Sequence, residues 1–192
     1  MLQLLRSLNI TADVSEAEDR YAELRPHACL ISYEGDQIEG TEGTTPADPA
    51  FSTELGDPAD QGLPVYEVSI DGKNVYIIPM SGAGLWGAIW GYLAVEDDGS
   101  TIYGADFGHA GETPGLGAEI AQSAFGNQFV GKEIIKNGNF LSVAVVKPGQ
   151  TDSRRDYVDG ISGGTITSQG VDKMLLNSVG EYENFLMKLN RN

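Results

Sequence analysis

Apolar residues recur at helical spacing near both ends of the chain and alternate with polar ones in between. Val14, Ala17, Tyr21 and Leu24 mark one face of a helix over 13–25, with acids opposite and Pro26 as its stop. A shorter helical pattern covers 2–8. Near the C-terminus, Val171, Met174, Leu175, Val179, Tyr182, Phe185, Leu186 and Leu189 form the apolar stripe of a closing helix over 168–189. Ser168 is its candidate N-cap. The centre reads differently. Val65–Ile70 alternates, Asp71-Gly72-Lys73-Asn74 turns, and Val75–Met80 returns, which predicts a hairpin. Ala88–Glu96 and Thr101–Phe107 flank Asp97-Asp98-Gly99-Ser100 and predict a second hairpin. Short strands are expected at 28–33 and 140–147, and a short helix at 115–125. From Glu34 to Gly62 acids, Gly, Pro and Thr take over, which predicts a long irregular segment lying over a core. The pattern implies an α+β fold, an antiparallel β-sheet with flanking helices gathered on one side. An N-terminal helical and irregular segment, 1–60, would pack on a principal domain, 61–192.

The length, 192 residues, suits that single principal domain, and 41% hydrophobic content supports a packed core. Charge narrows the partners. The net charge is −16, and between residues 26 and 131 there are 16 Asp and Glu against one basic side chain, Lys73. Nucleic acid, which needs a basic footprint, is excluded as a partner. The acidic surface suits cations, basic partner surfaces or plain solvation. The single cysteine, Cys29, lies in an apolar run and reads as a buried thiol, so no intrachain disulfide forms. The longest apolar stretch, Leu85–Val95, is about half the length of a membrane span. No signal-peptide pattern opens the chain.

Several motifs invite chemistry. Gly82-Ala83-Gly84-Leu85-Trp86-Gly87 fits the dinucleotide-binding spacing. That fold needs a helix next, yet an aromatic and β-branched strand follows, so a glycine-rich strand entry with Trp86 and Trp90 packing is the better reading. His109, Glu112 and Glu119 have metal-ligand chemistry, but Thr113-Pro114-Gly115-Leu116-Gly117 prevents one ligand-bearing helix and favours a tight turn into a helix. Gly160-Ile161-Ser162-Gly163-Gly164 fits the nucleophile elbow of a serine hydrolase using Ser162. Such an enzyme needs a base, and both histidines, His27 and His109, precede Ser162, against the hydrolase order.

Taken together and in order, Ser81–Gly87, Gly91–Ala94, Gly111–Ile120, Phe129–Lys132 and Asp159–Thr165 resemble the FMN-binding domain family, as in the C component of the Na⁺-translocating NADH:quinone oxidoreductases. The resemblance covers roughly 60–190. It implies an electron-transfer flavoprotein with FMN held covalently by Thr165 as a phosphoester, attached by a flavin transferase that uses FAD and Mg²⁺. It implies that Ser162, Gly163 and Gly164 shape the attachment loop and approach the phosphate. Glu112, Thr113, Leu116 and Gly117 would line the ring slot, with Lys132 and Thr167 as further contacts. Trp86 would either tune the flavin or belong to the core, and Asp159 would either bind Mg²⁺ or brace the turn. The partners implied are the other subunits of the membrane complex, on the periplasmic side of a bacterial inner membrane. The family's N-terminal transmembrane helix is missing here, and the abrupt start fits its removal. Where the family usually has alanine, this chain has Gly164, which loosens the loop. An equivalent flavinylated protein of the sister ferredoxin:NAD⁺ oxidoreductase complex is the alternative within the same resemblance. No NADH site is evident in the chain alone, and no residue is assigned as catalytic or as a metal ligand.

Overall fold

The computed structural model describes residues 1–24, 27–39, 41 and 62–191. Five antiparallel strands form the main sheet in chain order: β1 (His27–Ile31), β2 (Leu63–Ile70), β3 (Lys73–Ala83), β4 (Ala88–Glu96) and β5 (Ile102–His109). The two predicted hairpins are present. In the first, Asp71 and Gly72 take positive φ at the turn, and Ile70 pairs with Lys73. Strands β3 and β4 pair from Val75–Glu96 to Ala83–Ala88, so the glycine-rich 82–87 motif is the hairpin connection, not the entry to a helix. Its turn is closed by the Gly84 N–H to the Gly87 carbonyl, 2.8 Å.

The period-2 pattern places apolar side chains on both faces of this sheet. Ile78, Met80, Ile89, Leu93, Val95 and Phe107 join the larger core. Their neighbours Val75, Ile77, Tyr92 and Ala94 join a smaller one on the reverse face. The reverse face is covered by α1 (Leu2–Ser7), whose Leu4 is buried in the smaller cluster together with Leu8, the next residue. Helices therefore lie on both faces, a correction to the expected one-sided arrangement. Continuous burial over residues 77–80 of β3 and 91–95 of β4 gives the reason: a sheet apolar on both faces must be covered twice. The helix predicted over 13–25 is shorter, α2 (Ala17–Leu24), and its expected stop at Pro26 lies outside the described residues. Most of the predicted irregular segment 34–62 lies outside them too. Its described start folds back on β1, where the Ile38 N–H bonds the Leu30 carbonyl and Ile31 bridges Gln37.

After β5 the chain makes a 3₁₀ turn (Gly117–Ala121), a one-turn helix α3 (Ser123–Gly126) and a second 3₁₀ turn (Asn127–Phe129). These place Ile120, Phe125 and Phe129 against Phe107, with ring centroids of 5.2 Å between Phe107 and each of the other two phenylalanines. Residues 131–134 then run beside the start of β5, where the Ile102 N–H bonds the Lys132 carbonyl and the Ile134 N–H bonds that of Ser100. The strand expected over 140–147 is split into β7 (Asn139–Phe140), which pairs with β6 (Ile135–Lys136), and β8 (Ala144–Val146), which runs parallel to β9 (Tyr157–Asp159).

The closing helix starts earlier than its sequence pattern suggested and is not continuous. Helix α4 (Thr165–Met174) passes into a π-helical turn (Leu175–Val179), and α5 (Glu183–Leu189) follows. Gly164, not Ser168, is the N-cap. Ser168 lies inside the helix, where its Oγ accepts the Ile161 N–H at 2.9 Å and pins the preceding loop. The π turn keeps Leu175, Val179 and Tyr182 on the core side. Two anchors fix this region to the sheet. Ser178 Oγ donates to the Ser81 carbonyl, 3.0 Å, and the buried Tyr182 hydroxyl donates to that of Pro64, 2.7 Å. No described helix is long and apolar enough to cross a membrane.

Candidate functional site

The parallel β8–β9 pair delivers the glycine-rich loop to its place. Beyond β9 the Gly160 N–H bonds the Val146 carbonyl at 2.7 Å, the Gly164 N–H bonds that of Ile161 at 2.9 Å, and α4 begins at Thr165. Asp159 braces this start: its Oδ1 accepts the Gly149 N–H at 3.2 Å, and its backbone N–H and carbonyl pair with the Gln128 side-chain amide. The first intrahelical bond of α4 runs from Ser168 N–H to the Gly164 carbonyl, so the N–H groups of Thr165, Ile166 and Thr167 precede it. Thr165 is exposed, and its hydroxyl has no hydrogen-bond partner among the described residues.

Opposite this helix start stands the Gly111–Gly117 turn. Thr113 accepts two backbone bonds, from Leu116 and Ala118, at 3.1 Å each. Between turn and helix lies a cleft of ≈ 210 Å³ lined by Leu85, Glu112, Thr113, Leu116, Gly117, Gly163, Gly164, Thr165, Ile166 and Thr167. Eight of the ten residues named from the resemblance, up to 55 positions apart in sequence, thus meet at one opening. Leu85, Leu116 and Ile166 give it exposed apolar walls. Ser162 instead lines a second, larger cleft that meets the first at Gly163 and Thr165. Lys132 lines neither; its Nζ lies 5.9 Å from the centroid of the Tyr157 ring.

Glu112 has a role the sequence did not reveal. It is 4% exposed. Its Oε2 accepts the buried Thr167 hydroxyl at 2.6 Å, and its Oε1 accepts the Trp86 N–H at 2.8 Å. One carboxylate therefore ties the β3–β4 turn to the first turn of α4. Burial works against its charge, but the Thr167 hydroxyl, the Trp86 and Leu85 N–H groups and nearby His109 outweigh it and hold its carboxyl below the ordinary range. Glycine makes room for it: a Cβ on Gly117 would lie 2.5 Å from both Glu112 Oε2 and Thr167 Oγ1. His109 is used in the same knot, its Nδ1 accepting the Glu112 N–H at 3.2 Å. Trp86 is not core: it is 67% exposed on the hairpin turn beside Leu85. Trp90 is half-buried and donates to Gln3 of α1 at 2.9 Å.

Neither histidine lines the cleft that contains Ser162, so the nucleophile-elbow pattern lacks a histidine base there.

The FMN-binding domain family model matches residues 84–179, the segment that carries both walls of the smaller cleft. The C component of the Na⁺-translocating NADH-quinone reductase from Vibrio anguillarum is 33% identical over 179 residues, spanning 85% of this chain and 69% of the relative. Its Chlamydia caviae counterpart is 42% identical over 133 residues, which are 60% of this chain and only 42% of that protein's length. Among solved structures, the same component from Parabacteroides distasonis is 49% identical, covers 96% of this chain and 89% of its own, and superposes with a TM-score of 0.85. Shewanella oneidensis NqrC, at 26% identity, gives 0.74 over 99% of this chain and 95% of its own. The chain belongs to the FMN-binding domain family that includes the C component of the Na⁺-translocating NADH-quinone reductases.

Proposed function

We propose that this chain is an electron-transfer subunit of a Na⁺-translocating NADH:quinone oxidoreductase and carries FMN esterified through its phosphate to Thr165. The observation that carries the reading is the Thr165 hydroxyl itself. It is exposed, unbonded among the described residues, and placed where the glycine loop, the free N–H groups of α4 and the ring-sized cleft converge. The residues fit the group. A phosphate on Thr165 lies against the positive end of a ten-residue helix, worth about 0.3–1 kcal/mol at an exposed site. Leu85, Leu116 and Ile166 supply apolar area for a flat ring, while the exposed Thr113 hydroxyl offers polar contact at its edge. Bound FMN supplies one- and two-electron redox chemistry.

The chain's residues position and shield; none of them is arranged to activate Thr165. No histidine lines either cleft, and Asp159 spends Oδ1 on the Gly149 N–H. A separate flavin transferase, with FAD and Mg²⁺, supplies the base and the metal for attachment. Ser162, Gly163 and Gly164 form the loop that enters it. Glu112 and Thr167 serve the flavin by holding the cleft walls. In this reading residues 61–192 are the flavin-binding part, 1–60 pack onto it, the domain works on the periplasmic side of the inner membrane, and the acidic surface faces solvent or neighbouring subunits.

Intact mass with and without co-expressed transferase, followed by peptide mapping, tests the reading. An adduct of FMN less one water on Thr165 is expected, kept in Thr165→Ser and lost in Thr165→Val. An unchanged mass after co-expression refutes covalent flavin carriage.

A further inference from the structure

Thr165 borders a second cleft that the ring does not need. Its volume is ≈ 460 Å³ against ≈ 210 Å³ for the first, and it lies between β8, the 147–150 turn, the glycine loop and the outer side of α4. Its lining includes Lys147, Gln150, Ser162, Thr165 and Gln169. The smaller cleft has no cation in its lining. Lys147 is exposed and, in a chain with 28 carboxylate side chains, forms no ion pair among the described residues. Its position is nonetheless fixed. The Gln150 N–H closes the turn onto the Lys147 carbonyl at 2.9 Å, the Gly149 N–H is held by Asp159 Oδ1 at 3.2 Å, and the Gly160 N–H bonds Val146, the residue before Lys147, at 2.7 Å. The lysine and the attachment loop thus ride on one bonded frame.

Resting on the covalent-FMN reading above, we propose that the larger cleft seats the phosphate and that Lys147 is its counter-ion. A phosphate esterified on both sides keeps one full negative charge. In a molecule of net charge −16 that charge is repelled by most of its surroundings, and Lys147 is the cation lining a cleft that Thr165 also lines. The α4 N–H groups and the ammonium then approach the phosphate from different sides, and Gln150 and Gln169 are within the same cleft for the ribityl hydroxyls. No bond is made or broken by Lys147; its role is to bind the anion.

The test compares lysine acetylation in flavin-free and flavin-loaded wild-type protein, with peptide mass mapping and the adduct verified by intact mass. An amine that donates its protons to phosphate is a poorer nucleophile. Labelling of Lys147 is expected to slow by about fivefold or more on loading, with Lys132 and Lys173 unchanged. In the loaded protein, Lys147→Gln should also move the ³¹P resonance, whereas Lys132→Gln should not. Equal labelling of Lys147 in the two forms, or a ³¹P resonance indifferent to Lys147→Gln, overturns the assignment while leaving the Thr165 adduct in place. Wild-type protein that takes no adduct removes both readings together.

Discussion

Replacing Glu112 by glutamine keeps the side chain's shape and removes its charge. The amide oxygen can still accept the Trp86 N–H, now 2.8 Å from Oε1, but an NH₂ group then faces the Thr167 hydroxyl, whose present acceptor is Oε2 at 2.6 Å. Thr167 is 1% exposed, so its hydroxyl proton has no ready alternative in water. A hydrogen bond to a charged acceptor is worth about 1.5–3 kcal/mol and a stranded buried donor costs about 1–3 kcal/mol. Allowing for the desolvation relieved when the buried charge is removed, Glu112→Gln should cost about 1.5–3 kcal/mol at pH 7. Thr167→Val should cost somewhat less, and the double variant should show a coupling of about 1–2 kcal/mol. The pH dependence has a defined sign. Glu112 is held below its ordinary value of 4.5, so its stabilisation is present above that pH and disappears as pH falls through the lower folded-state value. Urea unfolding at pH 7 and at steps below pH 5 measures this. The gap between wild type and Glu112→Gln should close on acidification, provided the urea slope is unchanged. A Glu112→Gln protein within about 0.5 kcal/mol of wild type at pH 7, or a gap that widens in acid, refutes the claim that this carboxylate holds the two walls together.

Asp106 lies on the face of β5 covered by α1, with a buried oxygen, Oδ2, that has no hydrogen-bond partner among the described residues; burial pushes its carboxyl up to about 6 despite Arg6 and Gln3. Because its folded value exceeds the unfolded one, Asp106 increasingly destabilises the fold as pH rises from about 3.8 through about 6; the full shift is worth up to about 3 kcal/mol. Asp106→Asn should therefore melt higher than wild type at pH 7.5 and lose that advantage near pH 4, and a lower melting temperature at pH 7.5 would contradict the account. Gly164 has negative φ, and an added Cβ would lie 3.1 Å from Ile161 Cβ and 3.2 Å from the Gly117 nitrogen. Gly164→Ala should accordingly stay within about 1 kcal/mol of wild type, the gain from a stiffer unfolded chain offsetting the tight contact, and should still accept flavin. Gly164→Val should lower the adduct yield by intact mass, and equal yields in the two variants would remove the steric argument.

The hairpins were legible because β2, β3 and β4 carry local signals: alternation, and an Asp-Gly turn with positive φ. The end of the chain was legible as apolar stripe but not as helix start. Thr165, Ile166 and Thr167 are β-branched and poor helix formers, while Ser168 has the residue type of a cap. What makes 165–167 helical is nonlocal: the Thr167 hydroxyl is held by a carboxylate 55 positions earlier, and Ser168 is spent on Ile161. The same distance hid Glu112, which reads as a ligand contact or a metal ligand until both oxygens are seen to be bonded. Gly84 and Gly117, glycines that crowd Glu112, were the available hint. Lys132 follows a recognisable motif but points to Tyr157, because residues 131–134 are committed to the edge of β5. Lys147 carried no signal, since a lone surface lysine has no pattern.

Both outer strands of the sheet are closed by the chain itself. Gln37, Ile38 and Thr41 fold along β1, where the Ile38 N–H bonds Leu30, Ile31 bridges Gln37 and the Leu30 N–H bonds the Thr41 hydroxyl, and 131–134 with the 3₁₀ turns and α3 take the free side of β5. An open edge is a template for strand addition and aggregation. Here the protection comes from the chain's own segments and is reinforced by mutual repulsion among molecules of charge −16. Colloidal stability is thereby separated from cofactor occupancy: a newly folded chain can remain dispersed for as long as it goes without its flavin.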